Sequence, residues 1–266
     1  MAVRVRFCSP RQVLEPCDLE GFRYQVDPYI GCEHHCYYCY ALNQAETCWE
    51  EEILMHHDIA SPLSRELSTL EPQPIYMGWN TDPYQPSEAI HQQTRQVLEL
   101  LAQRDFSVCI LTKSDLVVRD IDLLVKMKDS SVGISIAFQE EDVRRLFEAH
   151  SPPNEERIEA LKTLKGAGVE TYSLICPVMP FITDVESLLE MVAPYADTIW
   201  FYGLSMESED DRNWQNVRAV LDHHFPEMTE QYRQIAFSAD HPYWMGLRAL
   251  LEQIQLDRRL NLRIEL

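Results

Sequence analysis

The chain has 266 residues, 45% of them hydrophobic, enough to fill a sizeable core. Its 43 acidic and 23 basic residues leave a formal net charge of −20, which opposes phosphate backbones and disfavours nucleic acid as a partner. No stretch approaches the ~18 consecutive apolar residues of a membrane span, and the opening MAVRVRFCSPRQ has no apolar run after its arginines. With eight cysteines, three of them clustered, the expectation is a cytoplasmic, metal-binding protein without a membrane partner.

Strand-like runs alternate with helix-like ones along the chain. FRYQVDPYI (22–30) reads as a first strand, followed by a cysteine-rich loop and a helix after Ser61. PIYMGW (74–79) precedes the amphipathic stretch EAIHQQTRQVLELLAQ (88–103), in which Ile90, Val97 and Leu101 share a face. VCILT (108–112) precedes IDLLVKMK, and VGISIAF (132–138) precedes ERIEALKTLKGAG, which Gly166 and Gly168 stop. YSLICPV (172–178) precedes VESLLEMVA, with Thr183 or Asp184 as N-cap. TIWFYGL (198–204) precedes WQNVRAVLDHHF, and the tail reads as the helix HPYWMGLRALLEQIQ and a short strand, LRIEL.

Six such strand–helix units, several with nearly continuous apolar strands, predict an α/β fold with a parallel sheet. Periodicity alone is compatible with an open doubly wound sheet or a partial barrel. No Gly/Ser/Pro-rich linker interrupts the pattern, so a single domain over 1–266 is expected, with a core at about 22–225 and a mainly helical C-terminal extension at about 226–266.

Parallel α/β folds gather functional groups at the C-terminal ends of their strands. Here those ends carry the cysteine loop, Asn80-Thr81-Asp82-Pro83, Thr112-Lys113-Ser114, Ser135, Cys176-Pro177 and Ser205-Met206-Glu207. The loop, YIGCEHHCYYCYA (29–41), holds Cys32, Cys36 and Cys39. Soft thiolates select zinc, copper(I) or iron–sulfur clusters. Structural zinc wants four ligands, and His34 or His35 would have to complete the set from within one wrapped loop. A [4Fe–4S] cluster takes one thiolate per iron, so three thiolates leave one iron open to a small molecule.

Other residues have plainer readings beside functional ones. Thr81 and Asp82 before Pro83 also make a turn initiator, Ser135 could simply hydrogen-bond within the core, and Lys113 could be a surface lysine. Cys109 and Cys176 lie in strands, where thiols are usually small buried hydrophobes, while Cys176, next to Pro177 at a strand end, is the further candidate reactive thiol. Adjacent side chains diverge on a helix, so His56-His57 and His223-His224 are poor metal sites. The acidic run MESEDDRNW (206–214) suits a helix N-terminus.

The spacing C-x3-C-x2-C, with Tyr38 before its last cysteine, resembles the cluster motif of the radical S-adenosylmethionine (SAM) enzymes. DPYIGCEHHCYYCYA, GWNTDPYQPSE, LTKSDLVVRDIDLL, VGISIAF, SPPNEERIEALKTLKGAGV and CPVMPFITD resemble, in that order, the blocks of the spore photoproduct lyase-like branch, over about residues 26–185. The resemblance implies a partial (β/α)6 barrel of the radical SAM type, one [4Fe–4S] cluster on Cys32, Cys36 and Cys39, and SAM bound at the open iron. Reductive cleavage would give methionine and a 5′-deoxyadenosyl radical that takes hydrogen from a substrate. It places Tyr38 near the adenine, Tyr40 near the active site, Thr81 with its neighbour Asp82 at the cofactor, Lys113 on the SAM carboxylate and Ser135 near the ribose. Pro177, Val178 and Met179 would form part of the adenine wall. An electron donor such as flavodoxin or ferredoxin is implied as a partner.

One departure changes the expected reaction. The lyase carries a hydrogen-donating cysteine two residues before the position of Thr81, and here that residue is Trp79. With the net charge, this points to a small-molecule or peptide substrate. DNA repair or nucleic-acid modification is the alternative enzyme reading, and a non-catalytic zinc-binding interaction module is the alternative from another class.

Overall fold

The computed structural model describes residues 3–8, 12–204 and 206–266; Ser205, one of the strand-end residues named above, lies outside them. The strands are β1 (Arg4–Cys8), β2 (Glu15–Pro16), β3 (Tyr24–Val26), β4 (Tyr29–Ile30), β5 (Glu52–His56), β6 (Ile75–Met77), β7 (Val108–Thr112), β8 (Ser131–Ser135), β9 (Glu170–Val178), β10 (Thr198–Gly203) and β11 (Leu262–Glu265). The helices are α1 (Ala60–Leu67), α2 (Glu88–His91), α3 (Gln93–Ala102), α4 (Ile121–Leu124), α5 (Glu141–Phe147), α6 (Asn154–Gly166), α7 (Val185–Val192), α8 (Arg212–His224), α9 (Thr229–Ala236) and α10 (Pro242–Arg258). No helix among the described residues is long and apolar enough to cross a membrane. The chain forms two compact units: residues 1–34, 45–134 and 155–171, and residues 35–44, 135–154 and 172–266.

In the first unit β3, β6, β7 and β8 pair side by side, all parallel, with Tyr24 opposite Ile75, Ile75 opposite Val108 and Cys109 opposite Ser131. Spatial order follows chain order, with no reversal of the kind that marks a doubly wound sheet. Met77, Ile110, Val132 and Ile134 in these strands are all fully buried, and β6 is buried at every residue. A second, small sheet sets β5 between β1, parallel, and β4, antiparallel.

Two expected elements are broken in this unit. Residues 22–30 form two strands, because β3 joins the parallel sheet while β4 turns to β5. Pro28, which has no N–H to donate, stands at the break. Residues 88–103 form two helices, since Gln92 takes a left-handed conformation with φ 52°. Ile90 is therefore 77% exposed, while Val97 and Leu101, which were expected to share its face, are fully buried. IDLLVKMK yields only the single turn of α4, preceded by a 3-10 helix over Asp115–Asp120.

In the second unit β9, β10 and β11 are likewise parallel and adjacent, with Thr198 opposite Tyr172 and Ile199 opposite Leu262. Of the two expected caps for α7 it is Asp184 that serves, accepting from Glu186 N and Ser187 N, both at 3.1 Å. α10 starts at Pro242 under a cap from His241, whose Nδ1 accepts from Tyr243 N at 3.2 Å. Trp214, Phe201, Tyr232 and Leu251 are fully buried in the core of this unit.

Gly78, just after β6, has φ +101°, and a Cβ placed there would lie 2.3 Å from the carbonyl oxygen of Leu111 in β7. Gly78→Ala should cost about 2–4 kcal/mol in denaturant unfolding, from left-handed strain and a backbone clash together. Gly166→Ala, where a Cβ meets nothing within 4 Å, should stay within about 1 kcal/mol of the parent.

Candidate active site

The cysteine loop begins with a glycine for a steric reason. Gly31 has φ +93°, and a Cβ there would lie 3.0 Å from the Trp49 ring and 3.2 Å from Ile53. Cys32 and Cys36 are buried, Cys39 is half-buried, and none of the three is in a disulfide. Cys39 N donates to Cys36 O at 3.0 Å, a turn that leads into the 3-10 helix Tyr40–Gln44.

In the first unit the loop start is held by the segment after β6. The Thr81 hydroxyl donates to Tyr29 O at 3.0 Å. Gln85 Nε2 donates to Gly31 O at 3.0 Å, and Gln85 Oε1 accepts from Glu33 N at 2.9 Å. Asp82 accepts from the Thr112 hydroxyl (2.6 Å), Lys113 N (2.7 Å) and Tyr84 N (2.8 Å), and its Oδ2 lies 3.6 Å from His34 Nε2. The carboxylate thus ties the end of β7 to the turn after β6 and fixes the backbone from which the half-buried Lys113 extends. Thr81 and Asp82 make the turn that their sequence suggests. Trp79 is half-buried, its ring edge-on to Tyr76 at 5.8 Å.

In the second unit the far end of the loop is held by α5. Tyr37 N donates to Phe147 O at 2.9 Å, and the Tyr38 hydroxyl donates to Glu148 Oε1. Glu148 is fully buried and also accepts from the Ser151 hydroxyl at 3.1 Å. The Tyr38 ring lies 6.3 Å from Phe138, which stacks on Phe147 at 5.2 Å. Tyr40, by contrast, is 45% exposed. Ser135 is buried at the end of β8, and Cys176 is half-buried in β9. Pro177, Val178 and Met179 follow it and are buried. Met179 N donates to the Thr183 hydroxyl at 2.9 Å, which donates in turn to Ala137 O at 3.1 Å.

The structure therefore assembles Thr81, Asp82 and Lys113 around the start of the loop, and Tyr38 with the buried Glu148 around its end. Sequence reading missed Gln85, Glu33 and Glu148. Their isolated polar side chains carry no periodicity, and only their destination inside the fold marks them. A separate depression of about 630 Å³ in the second unit runs along Phe181, Tyr243 and Leu247, and none of the candidate residues lines it.

Among the described residues no three or more His, Cys, Asp or Glu side chains gather where a single ion could sit. Each thiolate of an iron–sulfur cluster serves a different iron, so such a group does not require its cysteines to converge on one atom.

A family model described as the radical SAM superfamily matches residues 26–192, more than half of the chain. An uncharacterised protein of Methanocaldococcus jannaschii is 30% identical over 224 residues, covering 83% of each chain. An uncharacterised protein of Mycobacterium tuberculosis is 28% identical over 80% of this chain and 67% of its own. Among solved structures, spore photoproduct lyase complexed with dinucleoside spore photoproduct superposes with a TM-score of 0.60 at 15% identity, over 84% of this chain and 66% of that one. Streptococcus suis SuiB bound to S-adenosylmethionine gives 0.60 at 13%, over 92% and 51%. The chain thus spans about two thirds of the lyase and half of SuiB, and at these identities the likeness is one of fold: a parallel sheet with helices, consistent with a partial barrel.

Asp27, at the end of β3, accepts from Asn80 N (3.2 Å), Asn80 Nδ2 (2.9 Å) and Thr81 N (3.4 Å). Burial outweighs these bonds and pushes its carboxyl up to about 6. The folded state therefore holds the proton more tightly than the unfolded chain. The stability this confers is complete below the ordinary carboxylate value near 4 and is lost as pH rises through about 6. Urea unfolding of the parent and Asp27→Asn at pH 5 and pH 7.5 should show the parent losing stability relative to the variant over that interval; parallel curves would refute it.

Proposed function

The chain belongs to the radical SAM superfamily, and from that premise we propose that it is an enzyme with one [4Fe–4S] cluster on Cys32, Cys36 and Cys39 and SAM at the remaining iron. The observation that carries this reading is the spacing C-x3-C-x2-C of Cys32, Cys36 and Cys39 within the matched segment. When bound, cluster and SAM together supply a 5′-deoxyadenosyl radical able to take hydrogen from a substrate.

The chain's own residues bind and orient. Asp82 fixes the Lys113 amide, and the Lys113 ammonium is assigned to the SAM carboxylate. Tyr38, anchored through Glu148, is assigned to the adenine, together with Pro177, Val178 and Met179. Thr81 with its neighbour Asp82 is assigned to SAM, Ser135 to its ribose, and exposed Tyr40 and half-buried Cys176 to the substrate side. Trp79 occupies the place of the lyase's hydrogen-donating thiol, and an indole N–H is too strong a bond for that role. We therefore assign a small-molecule or peptide substrate, an electron donor of the flavodoxin or ferredoxin type, and a cytoplasmic location. The net charge of −20 favours such a substrate over duplex DNA.

Anaerobic purification, reduction with dithionite and addition of SAM test the reading directly. The parent should be brown and release 5′-deoxyadenosine, and Cys32→Ala, Cys36→Ala and Cys39→Ala should each fold yet lose the colour and the product. Full iron and sulfide in any of the three variants would discard this ligand set. Lys113→Ala should keep its iron and weaken SAM binding by about 1–3 kcal/mol in anaerobic calorimetry, the range for losing a charge-assisted hydrogen bond. A lesion-bearing oligonucleotide should emerge unrepaired; restored thymine would reinstate nucleic-acid repair.

A further inference from the structure

Gln85 belongs to no helix or strand, yet it is 0% exposed. Its amide donates to Gly31 O at 3.0 Å and accepts from Glu33 N at 2.9 Å. Those groups belong to the residues on either side of Cys32. One side chain thus supplies a donor and an acceptor to the two neighbours of a single residue, as a neighbouring strand would. The opposite amide orientation would set N–H against N–H and oxygen against oxygen, so the network fixes it.

The amide is itself anchored, with Nε2 3.3 Å and Gln85 N 3.4 Å from Asp82 O. The attachment is also reciprocated, since Glu33 Oε2 accepts from Ser87 N at 2.7 Å. Filling space alone would favour an apolar side chain, which carries no desolvation cost. A buried amide spanning Cys32 instead fixes the backbone that carries the thiol.

We infer that Gln85 is a positioning residue that presets Cys32 for iron, with Glu33 as its second anchor, an inference that rests on the iron–sulfur reading above. A ligand already held in place loses less conformational freedom on binding, and partners behind the ligating residue hold it there.

The test compares the parent with Gln85→Leu, which removes both bonds, and Gln85→Glu, which keeps the acceptor for Glu33 N. In the iron-free protein, iodoacetamide labelling read by peptide mass should report Cys32 in Gln85→Leu reacting several-fold faster, with Cys36 and Cys39 unchanged. In the reconstituted protein, Gln85→Leu should lose iron to a chelator about 10-fold faster, the usual scale for removing a partner of a metal ligand. The midpoint potential of its cluster should shift, and Gln85→Glu should fall between the two.

If Gln85→Leu does not fold, Glu33→Ala should show the same selective rise at Cys32 in smaller measure. Labelling, iron loss and potential all unchanged in a folded variant, with the parent fully loaded, would overturn this inference alone. A parent that holds no iron would overturn the cluster reading and this inference with it.

Discussion

Glu88 is a carboxylate with no exposure to solvent, and a group buried that deeply must be met by donors or it destabilises the fold. It accepts from the Tyr29 hydroxyl (2.6 Å), Thr94 N (2.9 Å), Arg95 N (3.2 Å) and the Arg119 guanidinium (2.6 Å). Two of these donors are amides in the first turn of α3, which a continuous helix through residues 88–103 would have spent on its own carbonyls. The left-handed residue at Gln92 releases them. Gln92 makes no side-chain cap, and Glu88 caps α3 from the preceding helix instead. Exposed Ile90 is the consequence, so a broken apolar face and a buried charge have one cause.

The same carboxylate reaches the cysteine loop through Tyr29, in β4 directly before it. Burial, with Glu88 beside it, pushes the Tyr29 hydroxyl well above its ordinary value, so it remains a donor. Arg119 and Arg95 carry the network on to Asp120, also fully buried, which accepts from the Tyr84 hydroxyl at 3.1 Å. The loop is thus fixed at its start by side chains, Gln85 and Thr81 gripping its backbone. At its end a backbone amide and a phenol, from Tyr37 and Tyr38, attach it to the end of α5.

The parallel strands were legible because their apolar runs alternate with helix-like stretches; β6 and β8 are buried at nearly every successive residue, while β7, β9 and β10 alternate. The thiol triplet was legible because its cysteines are close in sequence. β5 was not foreseen, since EILMH follows an acidic run and pairs only within a small sheet. The break at Gln92 was hidden because helical periodicity continues across it, and nothing local shows that Glu88 turns inward. Gln85 and Glu148 escaped for a related reason. A single buried polar residue looks like a surface one until the fold supplies its partners. Thr81 and Asp82 allowed two readings; the Tyr84 N bond to Asp82 is that of a turn, while Thr81 also reaches Tyr29 O and Asp82 the end of β7.

The Glu88 network also sets a schedule for the nascent chain. Tyr29 and the three cysteines leave the ribosome long before Glu88, and Arg119 follows later still. At synthesis rates of about 5–20 residues per second, the thiols travel for several seconds without the residues that will hold their loop. Loop-closure entropy has to be met before such distant contacts form, so the loop cannot settle early on its own. Any iron delivered in that interval would meet an open, oxidisable thiol segment. On the iron–sulfur reading proposed above, loading belongs after the turn beyond β7 and, for the end of the loop, after α5 has emerged.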